Sequence, residues 1–321
     1  MNSKYHKLLV ELKSLTGKTL ISYHSRGDVE AVSSALALRT LLPMATVRSP
    51  DRLSGHARSV LKRLGVKEPL VLKAGELASY DNVVLVDVAS PAMLGVLEEE
   101  FNSFNGKRVV IDHHVSSAVF KKCKVFEFED RTSCCEVVFD VLKLGQRRVD
   151  KKVASLLLCG VVVDSAFFES SSEGTFRAVA SLLRIAGVSY SEVKRLVARQ
   201  VDLNEIKTVL ANLSGADLID YKGEVVAFCS CKSFESSIAT ALIRSGASVA
   251  LCFNEKSGEV SLVKSNASKV FGRLNAGRFL SSQVSKFKGE SGGHELIAGA
   301  RVPISKLVSF VRTFRSEIFV F

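Results

Sequence analysis

The residues best suited to chemistry lie in Lys107–Ser117, KRVVIDHHVSS. The apolar run Val109-Val110-Ile111 breaks off into Asp112-His113-His114. A run of that kind is a buried strand, so its end is a rigid platform. An acid and two imidazoles on that platform can hold a metal ion and a phosphate. A paired His-His is unusual in a chain with only six histidines. The same pattern recurs at three other places. His24-x-x-x-Asp28-x-Glu30 follows LISY, Asp87 follows VVLV, and Asp164 follows the GVVV of Gly160–Val163. A single acid at a strand end is more often a helix cap or a turn residue. Four such ends, carrying three of the six histidines, point instead to one shared site.

Mixed carboxylate and imidazole donors suit Mn²⁺ better than Ca²⁺, which prefers oxygen alone. Six or so donors with one shared carboxylate are what a two-metal centre needs. Two ions about 3.5–4 Å apart can activate water and steady the leaving oxygen of a phosphoester. A further pattern, ESGGHELIAG at 290–299, puts Gly292 and Gly293 before His294. Their amides can cradle an anion, and His294 can donate to a phosphate oxygen. Lys264, Arg273, Arg278, Lys286 and Lys288 offer further phosphate contacts, and so does Arg26 within the first loop.

These residues need a scaffold, and the sequence supplies one. Strands alternate with helices over roughly the first 165 residues, and the strands are continuous apolar runs such as NVVLVD at Asn82–Asp87. That pattern predicts a parallel sheet covered on both faces, with its site at the carboxyl ends of the strands. Residues 1–188 are expected to form this domain, with Asp164 at its fourth strand end. A helical linker is expected over 189–214 and a smaller α/β domain over 215–321. Within the latter, strands are expected at Glu224–Cys229, Ser248–Phe253 and Glu259–Val263, and a helix at Lys269–Val284. A flexible loop is expected at Gly289–Gly293, and a last strand at Ala300–Pro303. The fold class is therefore α/β, with two domains.

The composition sets limits. The 321 residues carry a formal charge of +11, which favours a polyanionic partner, nucleic acid being the commonest. No apolar run approaches the ~18 residues that span a membrane, and the N-terminus has no signal-peptide core. A cytoplasmic protein with no membrane partner is expected. The seven cysteines form no Cys-x-x-Cys pair and read as buried free thiols.

The five motifs together resemble the DHH/DHHA1 phosphoesterases, the family of RecJ-type exonucleases and of nano-RNases that degrade short oligonucleotides. The resemblance covers nearly the whole chain. It implies that His24 and Asp28 bind one metal and that Asp87 bridges both. It implies that Glu30, His113 and Asp164 bind the other, and that Asp112 orients His113. His114 would contact the scissile phosphate and protonate the leaving group, while Gly292, Gly293 and His294 would hold the far end of the substrate. The chain departs from the family at three positions. Glu30 replaces an Asp, Ser291 replaces a third glycine, and Lys264 stands where an Arg is frequent. The extra methylene of Glu30 is expected to displace its carboxylate by on the order of 1 Å and to reshape the second metal site.

The resemblance implies a Mn²⁺-dependent phosphodiesterase using two ions, with Mg²⁺ or Co²⁺ as substitutes. The expected substrates are short or single-stranded oligonucleotides, RNA before DNA, released as nucleoside monophosphates. A length of 321 residues leaves no room for the extra oligonucleotide-binding domain of bacterial RecJ relatives. The alternatives are a phosphatase or phosphodiesterase of small nucleotides, such as 3′-phosphoadenosine 5′-phosphate or a cyclic dinucleotide, or a non-catalytic replication scaffold. Pyrophosphatases and polyphosphatases are disfavoured by the GGHELIAG motif. A homodimer and replication or repair partners are compatible with the family.

Overall fold

The computed structural model describes residues 3–114, 120–199, 202–293 and 295–320. The chain divides into two units, residues 1–200 and 201–321.

The first unit opens with α1 (Ser3–Lys13), β1 (Thr19–Ser22), α2 (Val29–Leu38), β2 (Thr46–Ser49), α3 (Gly55–Arg63) and β3 (Leu70–Val71). It continues with β4 (Asn82–Val86), α4 (Glu98–Ser103), β5 (Lys107–Asp112), β6 (Lys124–Glu127) and α5 (Cys134–Leu144). It closes with α6 (Lys151–Asp164), α7 (Glu173–Ala186) and α8 (Tyr190–Val197). The six strands lie in the order β3-β2-β1-β4-β5-β6, and every neighbouring pair is parallel. The chain leaves β1 toward one edge and returns at β4 toward the other. The crevice between β1 and β4 is thus the topological switch point, where α/β sheets place their sites. The runs TLIS and NVVLV are buried at every position, as a sheet covered on both faces requires.

Two helices behind the sheet set the geometry of the site. α2 is capped by Asp28, whose Oδ1 accepts from the Ala31 amide at 3.0 Å, and nine of its ten residues are buried. α6 packs directly against it. A Cβ built on Gly160 of α6 would lie 2.3 Å from Cys135 Sγ and 3.3 Å from Glu30 Cα, so only glycine permits this approach. One turn further on, α6 ends at Asp164. The expected fourth strand end is therefore a helix end. Gly160–Val163 continue the helix that Lys151 begins, because packing on α2 overrides the strand preference of the β-branched run.

The expected linker at 189–214 also divides differently. α8 packs on α3 and α6 within the first unit, whereas residues Leu203–Leu213 form α9, which packs on β8 and α10 of the second.

The second unit contains α9, β7 (Asp217–Tyr221), β8 (Glu224–Cys231), α10 (Glu235–Arg244), β9 (Val249–Asn254), β10 (Glu259–Lys264) and α11 (Ala276–Ser285). It ends with β11 (Glu290–Gly293), β12 (Ile297–Arg301) and α12 (Ile304–Glu317). Its sheet runs β11-β12-β10-β9-β8-β7, with only β8 and β9 parallel. Three expectations change here. The helix after β10 begins at Ala276 rather than Lys269, capped by the Asn275 side chain on the Arg278 amide. Gly289–Gly293 is not a loop, because residues 290–293 form edge strand β11 paired with β12. The last strand is Ile297–Arg301.

Candidate metal centre

At the switch point, the loops after β1, β4 and β5 meet the end of α6. Donor atoms gather there in overlapping groups, each with its atoms within 4.8 Å of one another. One group is His24, Asp28 and Asp87, and another is Glu30, His113 and Asp164. Asp87, Asp112, His113 and His114 form a further group, and Asp87 also joins Glu30 and Cys134. Every catalytic and metal candidate read from the first domain is therefore in one place.

Backbone bonds aim the imidazoles. His24 Nδ1 lies 2.7 Å from the Ser25 carbonyl, so Nδ1–H donates and Nε2 faces Asp87 at 3.5 Å and Asp28 at 3.8 Å. His113 Nδ1 donates to the Arg131 carbonyl at 3.3 Å. Its Nε2 then faces Glu30 at 3.4 Å and Asp87 and Asp164 at 3.8 Å each. Among the described residues that buried Nε2 has no hydrogen-bond partner, and neither has Asp112 Oδ2. Asp112 does not orient His113 as the family resemblance implied. Its Oδ1 accepts from His114 Nδ1 at 2.9 Å, which leaves His114 Nε2 as the free nitrogen of the more exposed imidazole.

Asp87 is held in the left-handed region, at φ +58°, with its amide donating to the Ile111 carbonyl at 2.9 Å. A non-glycine residue pays about 1–2 kcal/mol for that conformation. The surrounding strands impose it, and it turns the carboxylate toward both groups of donors. Glu30 sits in the first turn of α2, 2% exposed, and accepts from the Cys134 amide. The longer side chain thus reaches His113 and Asp164, so the site accommodates the Glu that replaces an Asp.

The electrostatics favour a cation. Burial raises the Glu30 carboxyl well above its ordinary range, and the charges of Asp87 and Asp164 push the same way. Burial also raises Asp164, against the bond from Glu30 and the charge of His113. At His24, burial favours the neutral ring but is outweighed by Asp28 and Asp87, which raise it to about 10. The Asp112 bond raises His114 to about 9. Mutually repelling carboxylates that take up protons, beside an imidazole nitrogen with nothing to bind, are the chemistry of a divalent-ion site. The donor set fits such an ion.

The substrate candidates are less concentrated. Arg26 is exposed, and its amide donates to Asp51 Oδ1 at 2.6 Å. Gly292 and Gly293 lie exposed on β11, Arg273 is exposed, and His294 falls outside the described residues. Lys264 is not presented to a ligand. It is buried, with Nζ donating to the Gly272 carbonyl at 3.3 Å and 3.7 Å from Glu295. Lys286 pairs with Glu317 at 2.7 Å. Sequence reasoning missed Cys134, Gly160 and the Ser25 and Arg131 carbonyls. Of these only Gly160 carried a signal, as a glycine one turn before an acid in an apolar helical run.

A parallel sheet with this cluster at its switch point suits a divalent-metal site. Residues 18–161 match the model of the DHH family, N-terminal domain. That match and the relatives below support a DHH-type phosphoesterase. It is 24% identical over 298 residues to an uncharacterized protein of Methanocaldococcus jannaschii, covering 90% of this chain and 88% of that one. It is 27% identical over 233 residues to a probable manganese-dependent inorganic pyrophosphatase of Shouchella clausii, covering 70% and 68%. The crystal structure of an exopolyphosphatase-related protein from Bacteroides fragilis shares the fold, with a TM-score of 0.75, 16% identity and coverage of 97% and 95%. Hydrolysis of phosphoesters with a divalent metal is the activity these findings support. Among the described residues, no helix is long and apolar enough to cross a membrane.

Proposed function

We propose that the chain is a manganese-dependent phosphodiesterase that degrades short single-stranded oligonucleotides, RNA before DNA, to nucleoside monophosphates. The observation that carries this reading is a formal charge of +11 on a chain whose site gathers five carboxylates, Asp28, Glu30, Asp87, Asp112 and Asp164. The remaining surface is therefore strongly basic and suits a substrate with several phosphates. His24 and Asp28 would hold one ion, Glu30, His113 and Asp164 a second, and Asp87 both. Bound ions supply Lewis acidity and lower the pKa of water. His114, kept protonated by Asp112, donates to the phosphate and then to the leaving oxygen. Exposed Gly292 and Gly293 would offer backbone amides to a phosphate of the substrate.

The pyrophosphatase relative favours a second reading, a small substrate such as pyrophosphate or a cyclic dinucleotide. A Mn²⁺ assay over end-labelled RNA and DNA from dinucleotides to ~25-mers, with pyrophosphate and a cyclic dinucleotide alongside, separates the two readings. Monophosphate release fastest on the shortest RNAs supports the first. Turnover of pyrophosphate or of the cyclic dinucleotide, with none on linear oligomers, replaces it by the second.

A further inference from the structure

A groove of about 750 Å³ runs along α3, lined by Gly55, Arg58, Ser59, Lys62, Arg63, Val66 and Glu68. The first helical positions, 55, 58, 59 and 62, recur at the spacing of one helix face. α3 also packs on α8, where Arg63 donates to the Leu196 and Ala198 carbonyls, so Arg63 is occupied in fixing that end. Arg58 is different. Its side chain is part-buried along the groove, and its Nε has no hydrogen-bond partner among the described residues. Lys62 stands exposed one turn along, and Glu68 is the one acid lining the groove.

The groove adjoins the metal centre. The Ser54 amide donates to the Gly27 carbonyl at 3.1 Å, and Asp51 binds both the Ser25 hydroxyl and the Arg26 amide. α3 therefore starts against the loop that carries His24 and Asp28. Arg26 and Arg52 are exposed at the junction. From there the helix rises about 14 Å over its nine residues.

We propose that this groove binds the sugar-phosphate backbone of a single-stranded nucleic acid whose end lies at the metal centre. The inference rests on the phosphodiesterase reading above and deepens it by assigning where the rest of the strand goes. Arg58 supplies a planar fork for a phosphate and Lys62 a point charge for the next. Val66 gives an apolar patch that a ribose or base covers and an inorganic chain does not.

The test is fluorescence anisotropy of labelled RNA on the full metal-free chain, native against Arg58→Ala/Lys62→Ala, with a ~12-mer and a dinucleotide. The expected result is an affinity loss of about tenfold for the 12-mer and less than twofold for the dinucleotide. The salt dependence should flatten by about 1.4 in log–log slope, from two lost contacts at about 0.7 each. A charge-preserving Arg58→Lys/Lys62→Arg variant should retain binding, which guards against misfolding. Unchanged 12-mer affinity, or an equal loss for both lengths, overturns the groove. So does inorganic polyphosphate displacing the 12-mer better than unlabelled RNA at equal phosphate. If the native chain cleaves no oligonucleotide yet the double variant loses the 12-mer, the groove stands and the substrate reading falls. If cleavage follows the expected ladder but the variant binds normally, the reverse holds.

Discussion

The two units place their candidate residues in opposite surroundings. In the first, five carboxylates and three imidazoles converge at a switch point, with Glu30, Asp87 and Asp112 buried and His24 and His113 aimed by backbone bonds. In the second, Gly292, Gly293 and Arg273 lie exposed on a sheet edge and a loop, and the buried Lys264 holds the chain at Gly272. Buried, preorganised groups act on reacting atoms, whereas exposed ones act on capture. Substitutions in the first unit should therefore depress kcat, and those in the second should raise KM.

Asp87→Ala is the strongest challenge to this contrast. It removes the acid common to three donor groups and should lower kcat by on the order of 10³-fold or more. The fold should persist, because one of several repelling carboxylates disappears while alanine keeps the same left-handed backbone at φ +58°. Near-normal turnover with normal circular dichroism would break the assignment of Asp87 as the shared ligand.

Asp112→Asn should cost about 10–100-fold in activity through His114. It also sharpens the electrostatic argument in the metal-free protein. His114 is raised from 6.5 to about 9 in the fold, chiefly by its bond to Asp112. Its stabilising contribution is complete below pH 6.5 and is lost as pH rises through about 9. In the variant, the ring should titrate lower and this loss should vanish. Histidine resonances followed by NMR across pH 5–10 read both effects.

Gly160→Ala asks whether the spacing of α2 and α6 matters apart from the donors. The added methyl meets Cys135 Sγ and should cost about 1–3 kcal/mol of stability. Mn²⁺ affinity should fall about tenfold, read by calorimetry, as Asp164 shifts away from Glu30. The smallest effect belongs to the second unit. A Cβ on Gly292 meets nothing within 4 Å, so Gly292→Val should leave kcat intact and raise KM a few-fold. A large fall in kcat instead would erase the contrast between the units.

Much of this centre was legible from residue types alone. Apolar runs that stop at an acid or histidine identified three loops of the site, because a strand buried on both faces has few other ways to read. Asp164 was found for the wrong reason. Gly-Val-Val-Val looks like a buried strand, yet its fate was decided by a helix beginning at Lys151 and by contact with α2 that no local pattern encodes. The partner of Asp112 was illegible for a similar reason, since one rotation about a loop residue decides between His113 and His114. In the second unit, DLIDY and ESGG were missed as strands. One is half charged and the other nearly all glycine and serine, so pairing rather than propensity holds them.

The position of Asp28 at the head of α2 carries a consequence for how ions enter and leave. One of its oxygens caps a helix that is almost wholly buried, and Glu30 lies two residues further into the same helix. Fraying there would expose the core, so the inner donors do not open by local breathing. An ion held by Glu30 and His113 would therefore exchange without opening of α2, by way of the part-exposed carboxylates Asp28 and Asp164, at a rate independent of the stability of the fold.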